Sequence, residues 1–313
     1  MRPRAVAVSF FFLTVFTAVS LAQLTDVEKA SILLGEHYDA VPNIVYKTAN
    51  NYQAKLDVYY ARMPGAPAPV VMMIHGGGWV AGTKEESVLY AVPFLQMGFS
   101  VVNVEYRLGQ VSLAPAAVED CLCALHWIGR NAKKYNFDLT KVVITGGSAG
   151  GHLALTTAMI PPSAGFENEC LVEDDEGWTG HFIDTRPAIA AVINWFGITD
   201  VPDMLEGPNK HGYAVSWLGS LPNREELARQ LSPLTYVRPG LPPILTIHGD
   251  NDKLVPYSHA VRLHEALTKA GVKNQLYTIK GGGHGGFTDE QELQAFEVVK
   301  AFLKNAGALP SMK

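Results

Sequence analysis

One feature constrains the fold of this chain more than any other: an alternation of two kinds of apolar segment. Apolar, β-type runs at residues 55–60, 70–74, 100–104, 142–145, 189–193, 244–247 and 275–279 read as strands. Segments with helical spacing lie between many of them, at residues 87–96, 114–134, 149–159, 259–270 and 291–304. The early strands can pair as a hairpin. Beyond them, strand followed by helix followed by strand predicts an α/β fold, with a mainly parallel central sheet and helices on both faces. A chain of 313 residues, 48% apolar and 18% charged, can bury the core that such a sheet needs.

No internal repeat or low-complexity linker divides this pattern. Two connections are long, residues 161–187, rich in Glu and Asp, and residues 197–243, which carry Trp217 and a short helical pattern at 225–230. Connections of that length read as insertions forming a small cap over one end of the sheet, within a single catalytic domain at residues 23–313. Residues 1–22 read as a separate export signal: Arg2 and Arg4, an apolar stretch at 5–19, then Ser20-Leu21-Ala22 before Gln23. The stretch is shorter than the roughly 20 residues of a bilayer span. Cleavage is therefore expected, with no stable membrane anchor and a secreted or periplasmic product.

Charge narrows the partners. The net charge of −5 becomes 23 − 30 = −7 without Arg2 and Arg4, and no basic cluster stands out, so nucleic acid and anionic membranes are poor partners. The cysteines, Cys121, Cys123 and Cys170, are odd in number, and Cys-Leu-Cys matches no zinc signature. Cys121 and Cys123 read as packing residues of a buried helix, with pairing of either to Cys170 left open by export.

The chemistry centres on "VVITGGSAGGHLAL" at 142–155. Ser148 stands where a strand turns into a helix, with Gly146 two residues before it and Gly150 two after. A turn that tight leaves no room for flanking side chains and projects the hydroxyl outward at a helix N-terminus. Taken alone, such a turn also suits phosphate binding. A serine nucleophile needs a base and a carboxylate behind it, and in this strand order both follow the serine. His259 and His264 belong to an amphipathic helix, whereas His284 sits in the Gly-rich loop "GGGHGG" directly after the last strand. "ILTIHGDNDKLVP" offers Asp250 and Asp252. Asp252, further out along the loop, is assigned to orient His284, and Asp250 to hold the loop.

Acyl transfer also needs donors for an oxyanion. "MIHGGGWVAG" follows the strand at 70–74, and its glycines expose unhindered N–H groups. Each such donor contributes about 3 kcal/mol of transition-state stabilisation.

At these residues the chain resembles a known group. "HGGGW" at 75–79, "EYRL" at 105–108, "GGSAGG" at 146–151, "HGDNDKLVP" at 248–256 and "GGGHGGF" at 281–287 are similar to the α/β-hydrolase esterases related to hormone-sensitive lipase, above all to their secreted feruloyl and acetylxylan esterase-like branch. The resemblance runs from about Leu56 to Leu303. It implies an α/β-hydrolase fold, Ser148 as nucleophile with Asp252 and His284, and an oxyanion hole from the amides of Gly77, Gly78 and Ala149. His75 is then structural, and neither metal nor organic cofactor is required. The chain departs from the hormone-sensitive lipase pattern at Gly147, where an acidic residue is common, and in the shortness of residues 23–43, which build little cap.

The implied function is hydrolysis, through an acyl-enzyme, of short-chain or aromatic acyl esters, with acetyl or feruloyl esters of plant cell-wall polysaccharide as candidates. Trp79, Trp195, Phe196 and Trp217 are expected near Ser148 as substrate-binding aromatics, although Trp195 and Phe196 end an apolar strand and read equally well as core. Two alternatives stand beside this: an arylformamidase-type amide hydrolase, against which the export signal speaks, and a binding module that has lost catalysis.

Overall fold

The computed structural model describes residues 25–62, 65–168, 170 and 185–310. The expected export signal lies outside these residues, as does most of the acidic connection. Strands β1 (Tyr38–Ala49), β2 (Tyr52–Ala61), β3 (Ala68–Ile74), β4 (Ser100–Val104), β5 (Phe137–Gly147), β6 (Ile189–Trp195), β7 (Ile244–Gly249) and β8 (Asn274–Ile279) form one sheet in the order β1-β2-β4-β3-β5-β6-β7-β8. β2 pairs antiparallel with β1 and with β4; every other pair is parallel.

Helices cover both faces because the strand residues alternate between two cores. In β3, Val70, Met72 and Ile74 enter one core while Val71 and Met73 enter the other. The first core takes Leu122 of α3 (Ala116–Tyr135), Leu153 of α4 (Ala149–Met159) and Leu263 of α7 (Ser258–Lys269). The second takes Phe94 of α2 (Val92–Gln96) and Val299 and Leu303 of α8 (Asp289–Asn305), with Leu34 of α1 (Asp26–His37) packed against it. Among the described residues no helix is long and apolar enough to cross a membrane.

The early hairpin is not the one that the apolar runs suggest. It joins β1 to β2 through Asn50 and Asn51, whose φ angles of 48° and 66° make a two-residue turn of the primed kind. β2 does not pair with β3, because β4 lies between them. β1 is hard to read from sequence because Pro42 and the left-handed Asn43 (φ 59°) interrupt its pairing between Val41 and Ile44. Most of its side chains are also only partly covered.

The connection 197–243 is a folded part of the first core. α5 (Gly212–Leu218) and α6 (Arg224–Gln230) bury Trp217, Leu218 and Leu227 there. Cys123 is disulfide-bonded to Cys170, which ties the acidic connection to α3 across a sequence separation of 47, and Cys121 is the buried free thiol. Cys123 is thus more than a packing residue.

Candidate active site

The parallel strands end on one side of the sheet, and the candidate residues collect there. β5 passes into α4 through Ser148, whose φ of 57° and ψ of −121° are sterically costly for a residue with a side chain. The conformation is held from both sides: the Ser148 amide donates to the Trp195 carbonyl at 2.9 Å, and the Ser148 carbonyl accepts from the His152 amide at 3.0 Å. The turn also packs directly on the end of β3. A Cβ on Gly150 would lie 2.2 Å from the Ile74 carbonyl oxygen, and one on Gly146 2.5 Å from the same atom, so both positions demand glycine. Gly147, where the hormone-sensitive lipase pattern often has an acid, meets Phe196 only at an ordinary 3.5 Å.

His284 stands at the tip of a loop whose flanking residues Gly283 and Gly285 bridge one another. Asp250 holds that loop by accepting from the Gly281 amide at 2.6 Å, while the Asn251 amide donates to the Gly282 carbonyl at 2.9 Å. The tip brings the imidazole to Ser148, whose Oγ donates to His284 Nε2 at 2.8 Å. On the far side His284 Nδ1 donates to Asp252 Oδ2 at 2.7 Å, which fixes the tautomer. Asp252 Oδ1 in turn accepts the amides of Leu254 and Val255 at 2.8 and 2.9 Å. Burial works against the Asp252 charge, but hydrogen bonds from His248, His284 and the Val255 amide outweigh it and hold the carboxyl well below the usual carboxylate range.

Gly77 and Gly78, at φ 109° and 60°, form a tight turn in which the Gly77 carbonyl accepts the amides of Val80 and Ala81. Among the described residues neither the Gly77 nor the Gly78 amide donates to a protein acceptor. Ala149 is the first residue of α4, where backbone amides have no partner within the helix. Gly77, Gly78, Ser148 and His284 share a cavity of about 510 Å³. His75 lines the same cavity, but among the described residues it makes no hydrogen bond to Ser148, His284 or Asp252. Its ring stacks on Tyr106 at 4.3 Å, and burial pulls its pKa down to about 4 despite a hydrogen bond to the Gly76 carbonyl.

Of the four aromatics, Trp195 and Phe196 line the cavity. Phe196 lies with its ring centroid 4.7 Å from that of His284, and Trp195 packs against Phe296 at 5.4 Å. Trp79 and Trp217 do not line it, which corrects the expectation that all four meet substrate. Both are fully buried and stacked at 4.2 Å, and Trp79 Nε1 donates to His152 Nδ1. The positive φ of Trp79 (62°) turns its side chain under the glycine loop, where the core claims it. Sequence reasoning misses Tyr213, Phe94, Phe296 and Glu292, all in the cavity wall. They come from an insertion and from amphipathic helices, whose spacing reports burial and says nothing of which buried faces meet at a cavity. It also misses His248, which contacts Asp252 and precedes it in the same motif.

This fold, with a serine at the turn from β5 into α4, an aspartate on the loop after β7 and a histidine on the loop after β8, defines an α/β-hydrolase of the esterase class related to hormone-sensitive lipase. Within that class the chain belongs to the BD-FAE family, whose model matches residues 56–267. It is similar to "Esterase LipQ" of Mycobacterium tuberculosis, 26% identical over 231 residues that make up 72% of this chain and 51% of LipQ. Among solved structures it is similar to a truncated carbohydrate esterase from gut microbiota (28% identity, TM-score 0.68, 87% of this chain and 97% of the other). It is also similar to Thermogutta terrifontis Est2 with butyrate bound (28% identity, TM-score 0.69, 88% and 96%). The chain spans about half the length of LipQ and 14% of a much longer fungal polyketide synthase that it also matches.

Proposed function

We propose that the chain is an exported serine carboxylic-ester hydrolase in which Ser148, His284 and Asp252 form the catalytic triad. The observation that carries this reading is the unbroken hydrogen-bond series from Ser148 Oγ through both nitrogens of His284 to Asp252, ending in a cavity. His284 Nε2 takes the Ser148 proton as Oγ attacks the ester carbonyl, and the oxyanion settles on the amides of Gly77, Gly78 and Ala149. The alcohol leaves with the proton from His284, and water repeats the sequence on the acyl-enzyme. The same series disfavours a binding module, which has no use for an ordered proton path.

Short-chain and aromatic acyl esters suit a cavity walled by Phe94, Trp195, Phe196, Tyr213 and Phe296. The likeness to a carbohydrate esterase, and to an esterase that binds butyrate, supports acetyl or feruloyl esters of cell-wall polysaccharide as the natural class. The Cys123–Cys170 disulfide supports export, since such bonds persist in oxidising compartments. Labelling with a fluorophosphonate probe tests the nucleophile. The wild type should react and Ser148→Ala should not; equal labelling of both would remove Ser148 from the mechanism. Faster turnover of an aryl formamide than of phenyl acetate would instead favour the amide hydrolase.

A further inference from the structure

We propose that His248 is a positioning residue that fixes the Asp252 carboxylate for His284, an inference that rests on the triad reading above. His248 lies in β7, four residues before Asp252, and is fully buried. Its Nε2 lies 3.0 Å from the Val255 carbonyl, an acceptor only, so this nitrogen carries the proton. The same N–H reaches Asp252 Oδ2 at 3.1 Å. Oδ2 therefore accepts from two imidazoles, His284 and His248, while Oδ1 accepts from two backbone amides. A carboxylate has about four acceptor positions. With all four taken, Asp252 cannot rotate away from His284 without losing contacts on both oxygens.

The ring itself is not explained as filling. Among the described residues His248 Nδ1 has no hydrogen-bond partner although it is buried, a cost that a leucine or phenylalanine in the same space would not carry. The ring is held edge-on by Tyr257 at 5.7 Å and by Phe196 at 6.5 Å, and Phe196 also touches His284. What the imidazole adds is an N–H donor fixed within the sheet and aimed at Asp252 Oδ2.

The test compares His248→Phe, His248→Gln and Asp252→Asn by the pH dependence of kcat and kcat/KM on p-nitrophenyl acetate. His248→Phe should lower kcat about 10-fold or more through misplacement of the triad, with KM nearly unchanged. Its acidic limb should move up by about half a unit or more, because a carboxylate relieved of one donor holds the imidazolium proton more strongly. His248→Gln, whose amide nitrogen reaches the Nε2 position, should restore most of both. Wild-type kcat in His248→Phe, or a fall in kcat with an unmoved limb and no rescue by Gln, would overturn the inference. Should His248→Phe not fold, nitrogen-15 NMR of the wild-type imidazoles decides: His248 protonated on Nε2 supports the inference, and protonation on Nδ1 alone overturns it. Asp252→Asn separates the two readings. If it is fully active the triad assignment fails; if it is inactive while His248→Phe behaves as wild type, only the role of His248 fails.

Discussion

Ser148 carries a backbone conformation that its own side chain disfavours, and the surrounding structure over-determines it through the Trp195 and His152 hydrogen bonds and the two glycines packed on Ile74. Strain held by so many contacts does not depend on the hydroxyl. Ser148→Ala and His284→Ala should therefore each lower kcat/KM for p-nitrophenyl acetate by about 10⁴-fold or more, as the proposed triad requires of residues acting as a unit. Their melting temperatures should stay near the wild-type value. The two aspartates should part company. Asp252→Asn removes the acceptor that sets the His284 tautomer and should cost several powers of ten, whereas Asp250 touches only the base of the loop, through Gly281 and Lys280. A larger kcat loss in Asp250→Asn than in Asp252→Asn would reverse their roles. These residues are legible in the sequence because each chemical demand is met by a side chain in a short motif, with glycines marking where the backbone must pass closely.

At the scale of elements, the glycine loop after β3 and the disulfide on α3 each make a distinct prediction. A Cβ on Gly77 would lie 1.9 Å from the Ala81 carbonyl oxygen, and the φ of 109° is itself hostile to a side chain. Gly77→Val should therefore displace the loop and, if its amides hold the oxyanion as proposed, depress kcat more than KM, because such a contact is strongest in the transition state. An unchanged kcat in a folded variant would remove the loop from the mechanism. The Cys123–Cys170 bond closes a 47-residue separation, for which chain entropy gives a stabilisation of about 4 kcal/mol. Cys170→Ser should lose much of that in urea unfolding without change in kcat, and equal unfolding midpoints would show that the bond does not constrain the unfolded chain. The same scale marks where sequence reading stops. Strands β3 to β7 are legible because their apolar runs are largely buried, whereas β1, at the sheet edge, has mostly exposed or half-covered side chains and a bulge at Asn43, and the described side chains of α1 are mostly exposed. Trp79 follows the glycine loop in sequence yet turns into the core by one positive φ, a torsion that residue type does not announce.

For the whole molecule, both acid sensitivity and substrate range follow from how the sheet is buried and covered. His75 and His152 are buried neutral, with pKa values brought down by burial to about 4. Unfolded, they titrate near 6.5, so between pH 6.5 and 4 the unfolded chain binds more protons than the folded one. Stability present above pH 6.5 is then lost as pH falls toward 4, by about 3 kcal/mol for each histidine. Urea unfolding at pH 7 and pH 4.5 should show this decline, and His152→Gln should make it shallower. Above the sheet, the cavity at Ser148 is bounded by aromatic side chains, and its mouth by Tyr90 and Leu254, which are 61% and 46% exposed. We read this exposed rim as favouring a small or aromatic acyl group on a bulky alcohol over a long lipid tail, whose far end would gain little burial there. Acetate and butyrate esters should accordingly have kcat/KM values well above those of esters with twelve or more carbons. Methyl ferulate and acetylated xylan should both be hydrolysed. Measured across a p-nitrophenyl series beside those two substrates, a preference for long chains would sink the cavity argument. Inactivity on both cell-wall esters would leave a short-chain carboxylesterase whose aromatic wall serves some other acyl group.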